Sequence, residues 1–175
     1  MEKLQLLERR WYDNPSFPCS VLALSNPGWL FHPHWHDEIE ILLAVNGPFD
    51  VTLDGEPSCL PPGGAVVVNS GELHAARFLG EGTGRLQLVV FHPELWLPVR
   101  QDDPTHDLVA ALLRGDRRLP RLWRPDDPAH AGFLATLRSV LDLGLRDEGP
   151  ERNLAMRGRL CLLLADILER SRLQV

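Results

Sequence analysis

The stretch from Gly28 to Gly47 reads GWLFHPHWHDEIEILLAVNG and carries two imidazoles and a carboxylate at even spacing, His34, His36 and Glu40. On a strand, residues two apart point to the same face. The spacing therefore predicts that these three project together, with Leu42 and Ala44 continuing the inward row. Such a set suits a divalent transition metal, and His74, in GGAVVVNSGELHAARF, supplies a fourth donor if its strand lies beside the first. Three imidazole nitrogens and one carboxylate oxygen suit zinc, nickel, iron or manganese, with room for a water or a ligand. The same four side chains without a metal would serve as hydrogen-bond partners for a small polar molecule, so both readings stand.

Around this set, Trp29 and Trp35 flank the ligand strand and are candidate walls of a ligand pocket. In RLQLVVF either Gln87 and Val89 or Leu86 and Leu88 face inward; Gln87 is taken as a ligand-binding candidate, with the register open. His32 precedes Pro33 and reads as a rim residue. Glu38 reads as solvated or rim-facing, because a bend is expected where the chain enters the strand. His92, His106 and His130 fall in loops or helix starts and receive no role. No general base stands out beyond the four ligand candidates, so no catalytic residue is assigned.

These residues need a scaffold of strands. From about Cys19 to Phe91 short β-rich runs, CSVLALS, EIEILLAV, FDVTLDG, AVVVN and RLQLVVF, alternate with turn sequences such as NGP, DGEP, PPGG and NSGE. That spacing predicts a mainly β sandwich or barrel over residues 19–92. Residues 1–18 form a leading arm with Trp11 and Tyr12, and residues 93–175 read as helical. Asp103-Pro104 and Asp127-Pro128 are helix starts, and Gly115, Gly144 and Gly149-Pro150 are stops. The last helix carries Leu160, Leu164, Ile167 and Leu168 on one face, and with its predecessor should form an antiparallel pair.

A length of 175 residues suits a single domain, and a formal net charge of -6 excludes a protein that binds nucleic acid or anionic membranes through its overall field. Cys19, Cys59 and Cys161 include no CxxC pair, and the charged N-terminus has no signal-peptide core. A reducing, cytoplasmic setting without a membrane span is expected.

Gly28, five residues, His34, one residue, His36, three residues, Glu40, six residues and Gly47 resemble the first cupin motif without a gap. Gly63, Gly71 and His74 resemble the second, which departs at Asn69, where cupins usually carry proline, and at Phe78, where they usually carry asparagine. Asn69, Gly71 and His74 also resemble the Asn-Pro-Gly-x-x-His turn of the sensor domains of AraC-type transcription regulators, with Ser70 in place of the proline. The resemblance implies a cupin double-stranded β-helix (jelly-roll) barrel followed by a C-terminal helical hairpin, and a small-molecule effector in the barrel. It also implies a homodimer through the C-terminal helices, with Leu160, Leu164, Ile167 and Leu168 at the contact, where the residues alone equally suit a hairpin that only covers one barrel face; the arm resembles a pocket-gating arm, but its residues read more simply as an edge strand or a mobile tail. Such regulators continue into a paired helix-turn-helix domain; none follows within this sequence, so no DNA contact is expected from this chain itself. The alternative implied by the cupin resemblance is a free-standing metal-dependent enzyme, a dioxygenase or isomerase, and the lack of a general base weighs against it.

Overall fold

The computed structural model describes residues 6–8, 12, 15–98, 102–146 and 149–172, so Trp11 lies outside the described residues. Eight strands form the barrel: β1 Cys19–Asn26, β2 Trp29–His34, β3 Ile39–Asn46, β4 Phe49–Leu53, β5 Glu56–Leu60, β6 Ala65–Val68, β7 His74–Phe78 and β8 Gly84–Phe91. The expected runs become β1, β3, β4, β6 and β8. The strands without such a run are β2, β5 and β7. Two of them, β2 and β5, are sheet edges, where Pro33 and Pro57 are tolerated because an edge strand has free donor positions.

All pairings between these strands are antiparallel, and the chain crosses repeatedly between two sheets ordered β1-β8-β3-β6 and β2-β7-β4-β5. That order is a jelly roll. Leu42, Ala44, Phe49, Val51, Val66, Val68, Leu86, Leu88 and Val90 fill the space between the sheets. Ile39, Ile41, Val67, Val89 and Phe91 face the other way, onto a helical layer. Both faces of β3 are thus buried, and it reads as an unbroken apolar run for that reason.

A ninth strand, β9 Leu122–Trp123, extends the first sheet by pairing with β6. The barrel therefore takes a piece from the region expected to be only helical. Two residues carry no periodic signal; what holds β9 is Trp123, buried and stacked on Phe133 at 4.0 Å between ring centroids.

The helices start as their caps dictate. Asp103 accepts from the Thr105 amide at 2.8 Å and opens α1, Pro104–Leu113. Asp127 caps a short 3-10 turn, Pro128–His130, and α2 begins after it, at Ala131–Gly144. The last helix, α3, spans Pro150–Arg172. Phe133, Leu137, Val140 and Leu141 of α2 and Met156, Leu160, Leu163, Leu164 and Ile167 of α3 share one core with the outer face of the first sheet. Leu160, Leu164 and Ile167 are consequently buried inside their own chain, and Leu168 packs against the same core. Leu160, Leu164 and Ile167 are therefore not available to a partner, contrary to the sequence-based expectation, while Leu168 stays partly exposed. The large apolar residues exposed on α3 are Leu154 (74% exposed) and Leu162 (60%), with Cys161 also exposed.

Candidate metal and effector site

His34, His36 and Glu40 do not share a strand. His34 ends β2 in one sheet, Glu40 is the second residue of β3 in the other, and His36 lies in the crossover between them. The chain bends at Asp37 and Glu38, as the sequence predicts. His74 opens β7 directly opposite His34. The crossing between sheets, not an even stride along one strand, brings the four together.

One ligand atom from each of His34, His36, Glu40 and His74 lies within 4.8 Å of every other. His36 Nε2 sits 3.0 Å, and His74 Nε2 3.6 Å, from Glu40 Oε2. His36, Glu40 and His74 are each only 1% exposed, whereas His34 is half-buried toward the mouth. His34 Nδ1 lies 2.8 Å from the His32 carbonyl, and His74 Nδ1 lies 2.8 Å from the Glu72 carbonyl. A carbonyl only accepts, so both rings carry their hydrogen on Nδ1 and present the Nε2 lone pair to the cluster. That is the state a metal requires of an imidazole. Burial, then the neighbouring His74, lowers the His34 pKa and keeps the ring neutral. Burial pushes the Glu40 carboxyl upward, but the hydrogen bond from His36, together with the nearby His74 imidazole, outweighs it and holds the group below the usual carboxylate range. The donor set therefore fits a divalent ion.

Around this centre Glu38 is buried, not solvated, and its Oε2 lies 3.4 Å from His36 Nδ1. The reason is the bend, which folds Glu38 back beneath the imidazole. A second buried acid, Glu72, went unread in the sequence. It accepts from the Asn69 amide at 2.9 Å and pairs with Arg118 and Arg121, of which Arg118 is 3.2 Å away. Asn69 itself bonds twice to one residue: its Oδ1 accepts from the Leu119 amide at 2.7 Å and its Nδ2 donates to the Leu119 carbonyl at 3.2 Å. Gly71, at φ 72°, donates its amide to the His36 carbonyl at 2.8 Å and links the two halves of the cluster.

The other pocket candidates separate. Gln87 lies in the outward row with Val89 and Phe91, because Leu86, Leu88 and Val90 take the interior; it does not face the cluster. Trp29 is 41% exposed, beneath the Arg77 guanidinium. Trp35 is half-buried and bonds through its backbone to the arm, accepting from Glu8 N at 2.9 Å and donating to Leu6 O at 3.0 Å. His32 is exposed and serves through its carbonyl, while His130, unassigned from sequence, is buried and accepts from the Arg124 amide.

A cavity of about 180 Å³ opens beside the cluster, lined by Glu8, Leu22, Leu24, Phe31, His34, Glu40 and Leu88. A larger one, about 560 Å³, lies between β1 and the start of α3 and includes Cys19 and Arg152. No metal-ligating cluster lines it among the described residues. The smaller cavity is the one lined by members of the cluster, His34 and Glu40.

The jelly-roll barrel and its helical cover define a cupin domain by class. A family profile described as AraC-like ligand binding domain matches residues 19–164, and the chain belongs to that family. Comparison with curated proteins finds no match. Among solved structures it is similar to the Schizosaccharomyces pombe Cnp3 cupin domain, at 14% identity and TM-score 0.42, over 47% of this chain and 61% of that one. It is also similar to Bacillus subtilis oxalate decarboxylase, studied for its Mn(II) centres, at 24% identity and TM-score 0.40, over 44% and 22% of the two chains. A Thermotoga maritima protein described as a predicted oxalate decarboxylase gives 21% identity and TM-score 0.39, over 41% and 64%. The chain thus spans less than two thirds of each. No helix among the described residues is long and apolar enough to cross a membrane.

Proposed function

We propose that this barrel is the effector-sensing module of a cytoplasmic AraC-type transcription regulator, and that it senses its effector at a divalent transition metal held by His34, His36, Glu40 and His74. The observation that carries this reading is the convergence of four donor atoms within 4.8 Å, with His34 and His74 already turned by backbone carbonyls into the ligand tautomer. The cavity beside them, about 180 Å³, is below the size of drug-like pockets, so the effector is a small molecule. Leu22, Leu24, Phe31 and Leu88 offer it an apolar wall, and the metal a polar anchor.

A signal has a physical route outward. The turn that carries His74 is bound through Asn69 and Glu72 to Leu119, Arg118 and Arg121, which lead into β9 and α2. The helical layer is where we place the homodimer contact, on the exposed α3 face of Leu154, Cys161 and Leu162.

Elemental mass spectrometry of the purified protein tests the centre, beside a His34→Ala, His36→Ala double variant. Near one metal per chain, lost in the variant, is expected, followed by saturable binding of small acids or sugars without turnover. Equal metal content in both proteins would remove the four-ligand site. Turnover of a bound compound would favour the dioxygenase or isomerase alternative.

A further inference from the structure

Glu8 belongs to the N-terminal arm, outside both cupin motifs, yet its Oε2 lies 2.9 Å from His34 Nε2. That nitrogen is the lone-pair end of the ring, because Nδ1 is committed to the His32 carbonyl at 2.8 Å. Two atoms that both carry lone pairs approach this closely when a shared cation or proton lies beside them. Ligands about 2.1 Å from a common ion and at right angles to one another stand about 3 Å apart. The Glu8–His34 separation of 2.9 Å and the His36–Glu40 separation of 3.0 Å both match that figure. Glu8 also lines the cavity beside the cluster, together with His34 and Glu40.

The backbone holds this carboxylate in place. Leu7 forms a parallel bridge with Trp35, flanked by Glu8 N to Trp35 O at 2.9 Å and Trp35 N to Leu6 O at 3.0 Å. Trp35 is the residue between two ligands, His34 and His36, so the arm docks on the ligand segment itself. Charge balance points the same way. Three neutral imidazoles and one carboxylate leave a divalent ion with one unneutralised positive charge, which a second carboxylate cancels.

We infer that Glu8 is a fifth, arm-borne ligand of the metal centre, so that loading the metal fastens residues 6–8 over the barrel mouth. This rests on the four-ligand metal site proposed above. It also selects among metals. Tetrahedral zinc would be filled by His34, His36, Glu40 and His74, whereas a five- or six-coordinate ion such as manganese(II) has room for Glu8. The same position, at the mouth of the cavity, is the one a carboxylate-bearing effector would take by displacing Glu8.

The test titrates manganese(II) chloride into the full chain and into Glu8→Gln and Glu8→Ala variants, following free ion by its electron paramagnetic resonance signal. Amide hydrogen exchange at Glu8 and Trp35 is read in parallel. The wild type should bind about tenfold more tightly than either variant, the order of loss typical when one supporting group of a metal site is removed. Exchange at Glu8 and Trp35 should slow on metal addition in the wild type only. Equal affinity in all three proteins, or equal protection with and without metal, overturns the role of Glu8 while leaving the four-ligand site intact. A wild type that binds neither manganese nor zinc overturns both.

Discussion

Replacing Asn69 by alanine should destabilise the metal-free domain by about 2–4 kcal/mol, since it leaves two buried backbone groups unpaired at about 1–3 kcal/mol each. Those groups are the amide and the carbonyl of Leu119, a residue only 3% exposed, which bond the Asn69 side chain at 2.7 and 3.2 Å. The lower part of the sum is the better expectation, because the 116–121 segment can shift and admit water. In a chain of this length each kcal/mol moves the midpoint by about 2–4 °C, so the melting temperature should fall by about 4–16 °C. Urea unfolding and calorimetry in the presence of a chelator give the intrinsic value, because bound metal would add its own stabilisation. An Asn69→Asp variant keeps the acceptor for Leu119 N but places a second carboxylate beside Glu72, and should be no more stable than alanine. A loss below about 0.5 kcal/mol in the alanine variant, the range of ordinary surface changes, would refute the claim that this side chain ties the barrel to residue 119.

Gly84→Ala should lower stability by about 1–3 kcal/mol through overpacking, since a Cβ there would lie 2.4 Å from the Phe78 ring; a companion Phe78→Leu change that restores part of the loss in a melting experiment supports the cause. Leu162→Glu on the exposed face of α3 should leave the melting temperature within a few degrees but shift sedimentation toward monomer, and a dimer unaffected by it would place the contact elsewhere. Among the cysteines, exposed Cys59 should be alkylated first near pH 8, and Cys19, whose thiol burial pushes up to about 12, last; mass mapping that finds Cys19 labelled before Cys59 contradicts its burial.

The clustering of His34, His36, Glu40 and His74 was legible because its signal is a pattern of spacings between chemically rare residues. Gly28, His34, His36, Glu40, Gly47 and His74 could be read without knowing which strand held which. The reason offered for their convergence was different from the real one. A stride of two along one strand predicts a shared face, but His34 and Glu40 sit in different sheets and meet because the chain crosses over between them. The register of β8 was not legible, since helices cover the outside of its sheet and both of its rows are largely apolar. Gln87, the one polar residue in the run besides the exposed Arg85 at its start, is half-buried on the outward row. Leu160, Leu164 and Ile167 failed as partner contacts for a related reason. An apolar helix stripe says that something covers it, and here the cover is the chain's own sheet and α2.

The two departures from the second cupin motif carry the most physical information. Phe78, in place of asparagine, fills a cradle where Cβ atoms on Gly47, Gly80 and Gly84 would all lie within 2.5 Å of its ring, so one aromatic closes the end of the barrel against three backbones. Asn69, in place of proline, exchanges a rigid ring for hydrogen bonds to a residue 50 positions away. A proline would stiffen the His74 turn from within; asparagine makes the stiffness of that turn depend on segment 116–121 and, through the buried Glu72, on Arg118 and Arg121. In a barrel that only held a metal, that dependence would be a weakness. In a sensor it supplies a two-way mechanical link, because whatever moves His74 strains the contact to Leu119, and whatever shifts the helical layer is felt at the ligands.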